Sequence, residues 1–327
     1  MRKTLLSSAF SVFLFSTAAY ADVPSVAVDI PPVYSLVAQV MKGVGTPDLI
    51  VQQGASPHGY SLRPAEAQAL QDADAVFWVG EALEPWLESS IESLASDAKS
   101  VELMETEGTT ELEFREGATF EKHSHGDEDD DHEDHDHDSH DHDGHDHEAH
   151  EHDDHDHHGH DPHAWLDPQN ARVWLDVIAT DLSALDPENA DTYSKNADDG
   201  KKELDGLMSD VNAELADVKD KHFVVFHDAY QYFEHRFGLS ATGSIRLSDA
   251  SDPSPARIEE IHDKVTKLNV TCVFAEPQFN RGLIDTVFEG TDAKVGVLDP
   301  LGSDLALGED LYPELIRNLA KNLKSCF

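Results

Sequence analysis

Between Glu121 and His160 the chain is built almost entirely of His, Asp, Glu, Gly and Ser, with no apolar residue larger than Ala149. Such a stretch buries too little surface to offset the entropy of ordering it, so it is expected to be a disordered loop when metal-free. Whatever folds must be assembled from the sequence on either side. Apolar patterning resumes at Ala164-Trp165-Leu166, which makes the stretch an insertion within a folded protein, and an insertion this long is expected to be functional or disordered. Its composition narrows function as well. Fifteen of the 21 histidines lie between His123 and His160, and residues 121–161 hold 19 acidic side chains against one Lys. The whole chain carries 66 Asp plus Glu against 23 Lys plus Arg, a net charge of −43 with histidine neutral. A surface of this sign repels phosphate backbones and anionic lipid, so neither a nucleic-acid partner nor an anionic membrane is expected. Metal cations or a cationic docking surface fit.

The 327 residues suit about two domains at roughly 150 residues each, enough to bury a sizeable core. At the N-terminus Arg2 and Lys3 precede an apolar run from Leu5 to Phe15, and Ala19-Tyr20-Ala21 fits signal-peptidase cleavage before Asp22. The run is shorter than the ~20 residues that span a bilayer, so residues 1–21 read as a signal peptide cleaved after Ala21. With no cysteine near that point and no later apolar span, the product is expected to be soluble in a bacterial periplasm. In that oxidising compartment the only two cysteines, Cys272 and Cys326, read as one disulfide tying the C-terminus to a strand.

Short apolar runs at Val26–Ile30, Asp48–Val51, Ala75–Val79 and Val101–Leu103 alternate with helical spacing or polar turns, the rhythm of βαβ units. Arg63–Leu70, with Pro64 near its first turn, and the segment from Glu84-Pro85 onward supply crossover helices. From Asp186-Pro187-Glu188 the apolar positions Tyr193, Ala197, Leu204, Leu207, Met208, Val211, Leu215 and Val218 predict one long helix to Lys219. It would extend ~50 Å at ~1.5 Å per residue, with local weak points at Gly200 and Gly206. A second series follows at Phe223–Phe226, Leu239–Thr242, Val270–Phe274 and Val295–Leu298, with helices expected from Ser254-Pro255 and over Pro313–Leu323. The expected fold is α/β. Residues 22–185 form an N-terminal lobe with a short parallel sheet, carrying the disordered His/Asp-rich loop at about 121–160. Residues 186–220 form one long rigid linker helix, and 221–327 a C-terminal lobe with its own parallel sheet.

Ligands in such folds sit beyond the carboxyl ends of the strands. Four candidates lie there: His58, His163, His227 and Asp299. The first two belong to the N-terminal unit and the others to the C-terminal unit, so a cleft between the units would collect all four. Three imidazoles and a carboxylate make a tetrahedral set for a borderline-soft divalent ion, favouring zinc over oxygen-preferring manganese or magnesium. Glu276, also at a strand end, competes as fourth ligand or as acceptor for an imidazole N–H. His222, His235 and His262 read as structural or surface residues.

At these residues the chain resembles a known family. Gly54-Ala-Ser-Pro-His-Gly-Tyr-Ser-Leu-Arg-Pro64, Asp161-Pro-His-Ala-Trp-Leu-Asp-Pro168, Val225-Phe-His-Asp-Ala-Tyr230, Phe274-Ala-Glu-Pro-Gln-Phe279 and Asp299-Pro-Leu-Gly302 closely resemble the zinc-uptake periplasmic binding proteins. These are the ZnuA type of the cluster A-I (cluster 9) solute-binding proteins. The resemblance spans essentially the whole mature chain. It implies two α/β lobes on a rigid helix, Zn(II) as transported ligand and delivery to an inner-membrane ATP-binding-cassette (ABC) permease. It further implies His58, His163 and His227 as ligands and a disulfide between Cys272 and Cys326. Where some relatives carry an acid just before the first ligand, this chain has Pro57, which leaves the fourth position among Asp299, water and a loop histidine. Asp299 is the preferred candidate. Manganese-binding relatives have a carboxylate at the position of His227, so histidine there supports zinc. A monomer is expected, with a periplasmic zinc chaperone as a further partner.

The loop histidines His132, His135, His137, His140, His142, His145, His147, His150, His152, His155 and His157 nearly alternate with acids and would bind several zinc ions weakly. They would serve either to pass zinc to the cleft or to sense its excess. The competing classes are a zinc-dependent hydrolase, for which neither HExxH nor a nucleophile elbow is present, and a metal-binding adhesin or zinc buffer sharing the same site. No enzymatic activity is expected.

Overall fold

The computed structural model describes residues 23–115, 120, 159–246, 253–278, 282–288 and 290–327. The expected signal peptide and the histidines of the insertion up to His158 lie outside these residues. Two four-stranded parallel sheets form the framework. The first runs β2-β1-β3-β4, with β1 Val26–Val28, β2 Asp48–Leu49, β3 Ala75–Trp78 and β4 Lys99–Glu102. The second has the same pattern, β6-β5-β7-β8, with β5 Phe223–His227, β6 Gly243–Arg246, β7 Cys272–Ala275 and β8 Lys294–Val297. Strands β1, β3, β5 and β7 are buried throughout, as continuous apolar runs in parallel sheets should be.

Proline sets several helix starts, because its fixed φ suits the first turn and its missing N–H is no loss there. Helices α1 Pro31–Val40, α2 Pro64–Gln71, α3 Pro85–Leu94, α4 Pro168–Leu185 and α7 Pro255–Leu268 all begin this way. Asp167 caps α4 by accepting from Gln169 N at 2.8 Å, and Ser254 caps α7 by accepting from Arg257 N at 3.2 Å. The remaining helices are α5 Ala190–Glu214, α6 Gln231–Phe237, α8 Gly282–Val287 and α9 Leu311–Cys326.

Helix α5 is the long connector, but it is shorter than the pattern suggested. Pro187–Asn189 forms a 3-10 turn ahead of it, and residues 215–220 are turns, so its 25 residues extend ~37 Å. The apolar period misled here because Leu215 and Val218 are buried by turns that carry the chain on toward β5. Neither glycine breaks the helix. A Cβ on Gly200 would lie 2.9 Å from Leu175 Cδ1 on α4, so the missing side chain permits close helix packing. Strand β6 begins four residues beyond the expected Leu239–Thr242. Gly238, at φ 68°, ends α6 in the left-handed region, and residues 239–242 are consumed as a buried connector before pairing starts at Val224↔Gly243.

One continuous apolar core runs through both lobes, from Val28 and Phe77 past Trp174, Leu204 and Leu207 to Phe274, Leu315 and Leu319. Smaller clusters cover the outer face of each sheet. Polar ties cross the same boundary. Arg236 on α6 clasps Asp167 at the start of α4 through two bonds of 2.6 and 2.7 Å, and Tyr312 on α9 donates to Trp165 O at 2.7 Å. Cys272 on β7 is bonded to Cys326 at the end of α9.

Candidate metal centre

Three imidazoles meet at the carboxyl ends of the two sheets. His227 is the last residue of β5, and the pairing Val225↔Phe274 sets Glu276, just past β7, level with it. His227 Nδ1 is 2.6 Å from Glu276 Oε1, and Gln278 Nε2 donates to the other carboxylate oxygen at 3.1 Å. His163 stands in the turn before α4. Asp161 Oδ1 accepts from its backbone N at 3.0 Å and lies 2.6 Å from its Nδ1. Asp161, His163, His227 and Glu276 are all buried. A neutral ring that gives its Nδ1 proton to a carboxylate presents an Nε2 lone pair on its other side. The Nε2 atoms of His163 and His227 are 3.3 Å apart. Two lone pairs at that distance repel unless a proton or cation joins them, and tetrahedral Zn–N bonds of ~2.0–2.1 Å place neighbouring donors ~3.3–3.4 Å apart.

His58 closes the group from the loop between β2 and α2. Trp86 Nε1 donates to Pro57 O at 2.7 Å, and His58 N donates to Ser56 Oγ at 3.3 Å, so both polar groups of the peptide leading into His58 are held. Its ring centroid is 5.3 Å from that of His163 and 6.1 Å from that of His227. Donor atoms of His58, His163 and His227 all lie within 4.8 Å of one another. Among the described residues no other group of His, Cys, Asp and Glu has this geometry. Nitrogen donors alone suit zinc better than calcium, magnesium or manganese.

The structure does not bring Asp299 into this group. Its Oδ1 accepts from the amides of Leu301 and Gly302, both at 3.0 Å, and its Oδ2 from Ser303 N at 2.6 Å, so the carboxylate shapes its own turn. That turn nonetheless borders the site: Trp165, whose ring is 5.3 Å from His163, donates through Nε1 to Pro300 O at 2.8 Å.

Two residues escaped the sequence reading. Asp161, the acceptor behind His163, had a visible signal, a carboxylate two positions before a candidate ligand. Arg115 had none, being a lone cation in an aperiodic segment. It is partly buried and packs against Asp228, the neighbour of His227, and against Glu234, with Nη1 2.8 Å from Glu234 Oε2. Burial raises the Asp228 carboxyl to about 6 and the Asp161 carboxyl to about 7, even though Arg115 pulls both down. Just outside, the two roots of the insertion pair antiparallel: Glu113 bridges His160, and Asp161 N donates to Leu112 O at 2.7 Å.

The family model described as zinc-uptake complex component A, periplasmic (ZnuA), matches residues 26–326. The high-affinity zinc uptake system protein ZnuA of Brucella abortus is 50% identical over 328 residues, covering 100% of this chain and 98% of its own. A crystal structure of ZnuA superposes with a TM-score of 0.72 over 93% of this chain and 99% of its own, at 23% identity, a likeness of fold. The laminin-binding adhesin Lmb of Streptococcus agalactiae, in a mutant form, superposes with a TM-score of 0.71 at 27% identity, over 93% of this chain and 99% of its own.

Proposed function

Because the chain belongs to the ZnuA family of periplasmic zinc-uptake components, we propose that it captures Zn(II) on His58, His163 and His227 and hands it to an inner-membrane ABC permease. Zinc binding for uptake is the family's role; the ligand set, the recipient and cleavage after Ala21 are this proposal's own. The observation that carries it is the convergence of three imidazole donors within 4.8 Å, two of them with Nδ1 against a buried carboxylate. Such backing fixes the tautomer before metal arrives, so little ordering is left for the binding step.

Asp299 is proposed as a carboxylate partner that steadies the bound cation from the rim, since its oxygens are engaged by three backbone amides. A carrier rather than a hydrolase is favoured by Glu276, whose two oxygens are taken by His227 and Gln278 and so are not placed to serve a metal-bound water as base. The Brucella relative, covered almost from end to end, favours uptake over adhesion. We further propose a monomer that exchanges zinc with a periplasmic chaperone, and weak zinc binding by the insertion's histidines.

Competition titration with a chromophoric chelator tests the site. His58→Ala, His163→Ala and His227→Ala should each weaken the tight site by about a hundredfold or more, ~3 kcal/mol, because each removes one zinc bond. Three variants with unchanged affinity would place the site elsewhere.

A further inference from the structure

The amino-terminal edge of the second sheet, opposite the edge that bears His227, carries a cationic groove of about 330 Å³. Lys219, Lys221, His222 and Lys264 line it, and among the described residues that line it Asp220 is the one acid. A second cavity of about 450 Å³ continues past Asp220, Lys221 and His222 to Lys294 and Asp292. On a chain of net charge −43, three lysines converging on one groove are out of character with the rest of the surface. Phe120 forms part of the groove wall, and its backbone N donates to Thr242 O at 3.0 Å. The next residue, Glu121, begins a stretch to residue 158 that holds 18 of the chain's 66 acidic side chains.

We propose that this groove is the docking site of the chain's own acidic segment, residues 121–158. The segment starts in the groove wall, carries 18 acidic side chains and one lysine, and rejoins the fold at Gly159, beside Phe114 and the Asp161 carboxylate that backs His163. Phe120 lies at the base of this lobe and Gly159 near the metal centre, and the lysines stand at the first of these two ends. Tethering raises the local concentration of carboxylates to the ~mM range, so weak charge pairing suffices to populate the contact. Lys219 Nζ already donates to Asn212 Oδ1 at 2.8 Å, which orders that ammonium at the groove. Every zinc ion taken up by the segment adds two positive charges, so a loaded segment is held less firmly than an unloaded one.

Carbodiimide, which joins lysine to carboxylate without a spacer, reads this contact directly on the full mature chain at low salt, with peptides assigned by mass spectrometry. In the monomeric fraction Lys219, Lys221 and Lys264 should be joined to acids within 121–158, whereas Lys195 and Lys202, whose neighbour is Asp199, should not. The links should fall several-fold at about 1 M salt, where the screening length is ~3 Å, and fall likewise with added zinc. Overturning results are equal linkage of lysines all over the surface, links confined to dimers, groove lysines joined only to Asp220, or links that persist at high salt or strengthen with zinc.

Discussion

Carboxylates buried beside imidazoles decide what the site can hold, and a second buried acid pair sets how the molecule responds to pH. Asp29, at the end of β1, accepts from Ile30 N at 2.7 Å and Val79 N at 2.6 Å, while Glu84 is buried against it, and the two carboxyls hydrogen-bond each other when one of them carries a proton. Burial pushes Asp29 up to about 7, and burial together with the Asp29 charge raises Glu84. A carboxyl held above its unfolded value of ~4 binds protons more tightly in the folded state, so stability falls as pH rises from about 4 through 7. Glu84→Gln should flatten that slope, as thermal unfolding between pH 5 and 8 would show; an unchanged slope would remove the pair from the account. Asp299→Asn should change zinc affinity by less than about tenfold, since its oxygens serve three amides. Competition titration checks this, and a loss matching that of His163→Ala would make Asp299 a direct ligand. The three histidines were legible because each follows a strand or opens a helix in a quotable motif. The hydrogen-bonding of Asp299 was not, because a carboxylate followed by Pro300 reads alike whether it faces a metal or turns back on its own amides.

Among the elements, strands were easier to read than helix ends. Buried parallel strands are apolar runs whatever their neighbours, whereas β6 was displaced to Gly243–Arg246 because Leu239 and Ala241 are apolar for a connector's sake. Helix α5 kept its period past its own end for the same reason. The disulfide joining β7 to α9 closes 54 residues, and the loop-entropy relation values that at ~4 kcal/mol. Replacing Cys272 and Cys326 together by Ala should lower unfolding stability by about 3–4 kcal/mol in urea melts. It should leave zinc affinity intact, because neither sulfur belongs to the metal group. A variant that stays folded but binds no zinc would contradict that separation.

At the scale of the whole molecule, the His/acid insertion divides the sequence but not the fold. Its roots pair at Glu113 and His160, and one apolar core passes through both lobes around α4, α5 and α9. The two-sheet plan was legible because each lobe repeats the same strand rhythm. The meeting of His58, His163 and His227 was an inference from topology, since residues 169 apart in sequence converge only through the packing of one lobe on the other. Zinc held between the lobes should stabilise the whole unit, by ~2.7 kcal/mol at a free concentration a hundredfold above the dissociation constant. The corresponding rise in unfolding temperature should vanish in His227→Ala. The most direct measurement is zinc-edge X-ray absorption on the protein lacking residues 122–158, loaded with one equivalent of zinc. A site built on His58, His163 and His227 requires a first shell containing three imidazole nitrogens at ~2.0–2.1 Å and no sulfur. A shell with one imidazole or none, or with sulfur scattering, would contradict it.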